Sequence, residues 1–142
     1  MTRSVNHIFS RFLDDSGIEE VFETQSSSRD PRVAVEIDGT LTGEIVLCFP
    51  RATLDEITRR FINKNDIRSI RRSHGDVAGE IANLITGTFA NQLQYTEHAL
   101  RLSAPEFNDD PITIKALYDN INLSFMSRYG GFDIDLYFRE NL

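Results

Sequence analysis

Asp76, Glu80, Asn83 and Gly87 follow one another at spacings of four, three and four residues. On an α-helix those spacings bring all four onto one stripe, within an arc of about 60°. Glu80 and Asn83, three apart, are surface neighbours there. Carboxylates can pair with a cation or exchange protons, whereas an amide donates and accepts hydrogen bonds without acting as a base. The Glu-x-x-Asn pair has little weight alone: a chain with ten Glu and nine Asn produces one by chance about as often as not. Its weight comes from sharing a face with Asp76 and Gly87. A mid-helix glycine costs about 1 kcal/mol against alanine, so Gly87 needs a reason. Either it relieves a contact inside the domain, or it lets another protein approach the helix closely; spacing alone leaves both accounts open. A plain acid–base pair of Asp76 and Glu80 explains neither Asn83 nor Gly87 and has no nucleophile beside it.

The helix that must carry this stripe is predicted from near Ser73. Ser73-His-Gly-Asp76 has the form of a capping box, with Asp where Glu or Gln is usual, ahead of Val77, Ile81, Leu84, Ile85 and Phe89. With Thr88 and Leu93, those residues make one broad apolar side. Upstream, Ile8, Phe9, Phe12 and Leu13 predict an amphipathic helix over residues 5–13, ended or kinked by residues 14–17. Ile18, Val21 and Phe22 fit one more helical turn, and residues 26–31 read as a loop. Alternation over residues 33–37 and 41–49, joined around Asp38-Gly39, predicts a hairpin, because glycine tolerates the positive φ of a tight turn. Pro50 stops the pairing, and Leu54, Ile57, Phe61 and Ile62 predict a second helix over residues 52–63. Strands are expected at residues 99–102, 112–117, 121–125 and 132–138, the last three punctuated by Asp119-Asn120 and Gly130-Gly131. The order describes a single α+β domain over residues 1–142, with helices packed on one face of an antiparallel sheet.

Composition narrows the function classes. A chain of 142 residues can bury a sizeable core unaided, and its 40% hydrophobic and 26% charged residues are those of an ordinary globular domain. No apolar run approaches the roughly 18 residues of a membrane helix, and the first residues lack the apolar core of a signal peptide. The only cysteine, Cys48, lies in the apolar run Ile45-Val-Leu-Cys-Phe49 and reads as a buried small hydrophobe rather than a nucleophile. An intramolecular disulfide is impossible, in keeping with an expected cytoplasmic location. The formal charge of −7 argues against a duplex nucleic-acid binder. His7, His74 and His98 have no metal-ligand spacing, so neither a metal nor another cofactor of its own is expected. One stretch runs against the overall charge: Arg59, Arg60, Lys64, Arg68, Arg71 and Arg72 face a single acid, Asp66. It is either solvated surface or a docking patch for an acidic partner.

The stretch Gly75-Asp-Val-Ala-Gly-Glu-Ile-Ala-Asn-Leu-Ile-Thr-Gly-Thr-Phe-Ala-Asn91 resembles the CheX/CheC/FliY chemotaxis phosphatases, and its single motif is most like CheX. Ile37-Asp-Gly-Thr-Leu-Thr-Gly-Glu-Ile-Val-Leu is similar to the family's glycine-containing hairpin. Leu102-Ser-Ala-Pro105 is similar to the short strand ending in Ser-x-Pro that follows its motif helix. The N-terminal region and residues 59–72 show no such likeness. The resemblance implies a CheC-like/CheX-like fold and hydrolysis of the aspartyl phosphate of a CheY-type response regulator, in chemotaxis or a related two-component pathway. It makes Asn83 the residue that positions the attacking water and Glu80 the anion that anchors the regulator's active-site Lys. Mg²⁺ would belong to the regulator, and the protein would be a homodimer, joined through sheet edges. Asp76 is explained by the helix dipole in its first-turn position, with contact to the partner as the alternative. The competing reading is a docking module that binds a response regulator, or a flagellar or signalling partner, without turnover.

If the basic run, with Arg71 and Arg72 nearest the motif helix, steers the acidic mouth of a receiver domain toward Glu80 and Asn83, reversing charge at Arg68, Arg71 and Arg72 should slow association. Stopped-flow rates at several salt concentrations measure this; an unchanged rate and salt dependence would refute it.

Overall fold

In the computed structural model, which describes residues 1–64, 74–93, 100–108 and 119–140, alternation of apolar and polar side chains sets the sheet. Strand β2 (Arg32–Gly39) buries Val33, Val35 and Ile37, β3 (Leu41–Cys48) buries Ile45 and Leu47, and β7 (Gly130–Glu140) buries Phe132, Ile134 and Leu136. Every second side chain points the same way along a strand, so each set lies on one face. With β1 (Glu19–Val21), β4 (Leu100–Leu102), β5 (Glu106–Asn108) and β6 (Asp119–Ser127), the described residues form a seven-stranded antiparallel sheet. Its order is β1-β6-β7-β3-β2-β4, with β5 also pairing with β2.

Among the described residues three helices cover the apolar face: α1 (Thr2–Leu13), α2 (Arg51–Lys64) and α3 (His74–Leu93). Val5, Ile8, Phe9 and Leu13 of α1, Leu54, Ile57 and Phe61 of α2, and Val77, Ala78, Ile81, Ala82 and Ile85 of α3 join the strand residues in one core. This is the expected α+β arrangement. No helix among the described residues is long and apolar enough to cross a membrane.

The hairpin at Asp38-Gly39 forms as the sequence suggests, with Gly39 at φ 125° and its N–H donating to the Asp38 carboxylate at 2.8 Å. Four residues on, Gly43 has a different role. A Cβ there would collide with the Tyr137 carbonyl of the neighbouring β7, so the approach of the two strands requires its absence.

Two local expectations are corrected. Residues 18–22 do not add a helical turn: Glu19–Val21 pair with Met126, Phe125 and Ser124 of β6, and Phe22 is fully exposed. The cause lies just upstream. Asp14 takes the left-handed conformation (φ 51°) that ends α1, and the buried Asp15 carboxylate accepts from the N–H groups of Gly17 and Arg128, directing the chain to the edge of β6. The strand after α3 is also longer than expected, resuming as β5 after Ser103-Ala104-Pro105. Ser103 bridges the break: its N–H donates to the Glu36 carbonyl (3.0 Å) and its hydroxyl accepts from the Glu36 N–H (2.9 Å). The strand expected at residues 112–117 lies outside the described residues, as does Ser73 of the capping box.

Substituting Gly43→Ala should lower unfolding free energy by at least about 2 kcal/mol, since a packed backbone has to shift. Urea denaturation monitored by circular dichroism measures it, and a loss within about 0.5 kcal/mol would contradict this account of the strand approach.

Candidate functional site

Helix α3 is held from behind. Val77, Ala78, Ile81, Ala82 and Ile85 are wholly shielded from solvent, and Gly79 and Thr86 join them. The buried arc is therefore turned from the apolar side that the sequence suggested: Leu84, Thr88, Phe89 and Leu93 are only half-buried. Small residues explain the difference. Pro105 packs on Gly79, where an added Cβ would lie 3.5 Å from its ring, and Phe107 crowds Gly75, with 3.0 Å to its ring. The β4–β5 chain can therefore settle close against the first turns of α3. Thr86 is buried without penalty because its hydroxyl donates to the Ala82 carbonyl at 2.7 Å.

The outer face of the helix carries the stripe. Asp76, Glu80 and Asn83 are exposed and Gly87 is half-buried, so the structure brings the four together along one side of α3. No hydrogen bond to the Asn83 side-chain amide is present among the described residues; the Thr86 hydroxyl approaches its backbone carbonyl, at 3.5 Å. Asp76 lies in the first turn, where a carboxylate complements the helix dipole. Gly87 relieves no internal contact: an added Cβ would meet no described atom within 4 Å. Of its two accounts, the one inside the domain fails among the described residues.

Beyond the stripe the candidates separate. Arg71 and Arg72 lie outside the described residues, as do Arg68 and His98. The two arginines of the basic run whose side chains are described have local partners: Arg59 pairs with Glu56 at 3.0 Å, and Arg60 pairs with Asp14. His74 Nε2 meets Asp55 Oδ1 at 2.5 Å across the gap between α3 and α2, and His7 is exposed on α1. Among the described residues no three His, Cys, Asp or Glu side chains converge as metal ligands would. Cys48 is buried as expected; burial, then the Asp135 charge, push its thiol up to about 11, which removes it as a nucleophile near neutral pH. The sequence reading missed a second polar cluster, around Asp133 and Asp135 on the sheet face away from the helices. Its signal was the alternation Asp133-Ile-Asp135-Leu-Tyr137, which sets three polar groups on one face of β7.

The sequence model of the family described as chemotaxis phosphatase CheX matches residues 32–116, more than half of the chain. The chain belongs to the CheX family. The matched span opens at the first residue of β2 and contains all of α3, so Glu80 and Asn83 lie within it. Among solved structures, the CheX protein of Vibrio vulnificus is 18% identical with a TM-score of 0.79, covering 97% of this chain and 93% of that one. CheX of Desulfovibrio desulfuricans is also 18% identical, with a TM-score of 0.76 over 97% and 95%. CheX of Borrelia burgdorferi, solved in complex with CheY, BeF3 and Mg²⁺, is 16% identical with a TM-score of 0.76 over 98% and 95%. These likenesses extend the shared fold over the N-terminal region, where the sequence showed no resemblance. No curated protein matches the sequence.

Because a Cβ on Gly87 would meet no described atom within 4 Å and the helix is regular, Gly87→Ala should stabilise the isolated protein by about 1 kcal/mol and raise Tm by about 3 °C. Differential scanning calorimetry tests this; a lower Tm would mean that the glycine serves packing after all.

Proposed function

We propose that this protein hydrolyses the aspartyl phosphate of a CheY-type response regulator, with Asn83 positioning the attacking water and Glu80 anchoring the partner. The observation that carries the reading is the pairing of an exposed Glu80 and an exposed Asn83 on the outer face of a helix whose back is fully buried. Membership of a family described as chemotaxis phosphatases supports it, and so does the likeness to a CheX protein solved with CheY.

The chemistry asks little of the phosphatase beyond placement. An acyl phosphate is already a reactive ester, so hydrolysis needs a water held in line with the scissile bond and charge neutralised on the phosphoryl oxygens. Asn83 suits the first task. Its amide can hold a water by accepting and donating at once, leaving a lone pair for phosphorus, and it does not have to remove a proton. Neutralisation falls to the Mg²⁺ and Lys of the regulator, so this chain brings no metal of its own. Glu80, one turn toward the N-terminus, supplies a carboxylate for the regulator's Lys. Gly87, a further turn along, leaves room for the partner's backbone beside Asn83. Asp76 contributes chiefly to the helix terminus, and Arg71 and Arg72 to steering.

The same reading makes the protein a cytoplasmic homodimer. Strand β1 pairs with β6 only at Ser124, Phe125 and Met126, and Ile121 farther along β6 is exposed, a surface suited to a second sheet edge. The rival reading, a docking module without turnover, shares the binding surface but gives Asn83 no distinct task.

One assay separates the two: decay of a phosphorylated receiver domain with and without the protein. Wild type should accelerate decay. Asn83→Ala should cut the acceleration by about 100-fold while still binding, and Glu80→Lys should weaken binding by about tenfold or more. Gly87→Ala, though more stable, should bind less tightly. Binding without acceleration in the wild type would replace the phosphatase with the docking module.

A further inference from the structure

On the sheet face away from the helices, Ser124, Asp133, Cys48 and Arg32 stand at paired positions across β6, β7, β3 and β2. All four are buried, although the helices pack on the opposite face. They are covered by residues 22–30, the segment that leads from the edge strand β1 to β2. Asp133 is its main fastening: the carboxylate accepts from the N–H groups of Gln25 (3.0 Å) and Ser26 (2.7 Å) and from the hydroxyls of Ser26 and Ser124. Arg32 adds a second, donating from Nη2 to the Ser28 carbonyl at 2.5 Å. Between segment and sheet lies a cavity of about 300 Å³, lined by residues 26–28 on one side and by Asp133, Asp135 and Tyr137 on the other.

Asp135 shares this cavity with Asp133, two residues along the same face of β7. Burial, and then the Asp133 charge, push its carboxyl up to about 6. The ionisable groups around it are Asp133 and Tyr137 on β7, Cys48 and Glu44 on β3, and Arg32 on β2; β6 presents the neutral Asn122 opposite Asp135, and the overlying segment presents serine hydroxyls. Arg32, the cation of this set, already donates to the segment.

We propose that residues 22–30 are a pH-dependent strap, closed over the cavity while Asp135 is protonated and loosened when Asp135 becomes a second carboxylate beside Asp133. The reason is linkage. With the strap closed, Asp135 faces a cavity roofed by residues 26–28 rather than open water, which favours its neutral form, so the neutral form in turn favours closure. For an acid whose pKa is raised in the closed state, the stabilisation is complete below the ordinary carboxylate value of about 4 and is lost as pH rises through about 6. The strap follows directly on β1, whose Val21 pairs with the same Ser124 that donates to Asp133, so loosening begins at a sheet edge. None of this depends on the action on a response regulator.

Amide hydrogen exchange of the full-length protein tests it, with rates at Gln25 and Ser26 normalised to intrinsic exchange at each pH, and the Asp135 side-chain carboxyl titrated by NMR. In the wild type, protection at both amides should fall as pH rises from about 4 to about 6 and then level off, by about tenfold for each pKa unit that closure contributes. The levelling-off should coincide with the titration of Asp135. Asp135→Asn, nearly isosteric and never charged, should keep high protection at every pH. Asp133→Asn, which weakens the fastening, should lose protection across the whole range. Flat protection in the wild type, an equal fall in Asp135→Asn, or unchanged protection in Asp133→Asn would each overturn the proposal.

Discussion

The ring of Phe132 lies among three others: Phe9 of α1 at 5.1 Å between centroids, Phe125 of β6 at 5.4 Å, and Phe49, the residue after β3, at 5.6 Å. All four side chains are wholly buried. Beyond the area they remove from water, such ring pairs contribute about 0.5–1.5 kcal/mol each. This one cluster therefore fixes α1 to the sheet and sets how far the helical layer stands above it. The rest follows from that spacing. With α1 in place, α3 has a wall to lie against, and the Ser4 hydroxyl donates to Gln92 at 3.2 Å near the far end of α3. At the other end, Thr53 at the start of α2 donates to the Gly131 carbonyl of β7, so the second helix is tied to the same strand that carries Phe132.

Such a frame holds α3 in one orientation. Small residues bring α3 into close contact with β2, β4 and β5 and leave little freedom to rotate about its axis. Rotation would carry Ala78 or Ala82 out of the core and Asp76 or Glu80 toward it, at a cost in both directions. The front of the helix is thus held by what its back buries. In this sense Ser103 and Pro105 belong to the site, although neither carries its chemistry: one repairs the break between β4 and β5, and the other seats the chain against Gly79, next to Glu80.

The two faces of the sheet solve opposite problems. The helical face removes hydrocarbon from water, whereas the other must shelter a buried carboxylate, a buried arginine and a thiol. An interior carboxylate is tolerable only when its oxygens are well supplied with donors, and Asp133 obtains them from a segment more than 100 residues away in the chain. Among the described residues Asp135 has no comparable set of donors, and burial raises its pKa.

Periodicity alone placed the stripe of Asp76, Glu80, Asn83 and Gly87 on one side of a helix, because a 3.6-residue repeat is a local property. The Asp38-Gly39 hairpin and the apolar faces of β2, β3 and β7 were legible for the same reason: turn chemistry and alternation act over a few residues. Tertiary structure decided what depends on distant partners. Residues 18–22 had a fair helical pattern, yet an open edge on β6 and the carboxylate of Asp15 drew them into a strand. Whether Gly87 served packing or left space could be read only from what surrounds it, and among the described residues nothing does. Alternation could have placed Asp133 and Asp135 on one face of β7, but the strap was invisible in sequence, since nothing local to Asp133 announces that Gln25 and Ser26 will fold over it. The sequence thus determined which residues share a face, and the packing decided which face was left to work.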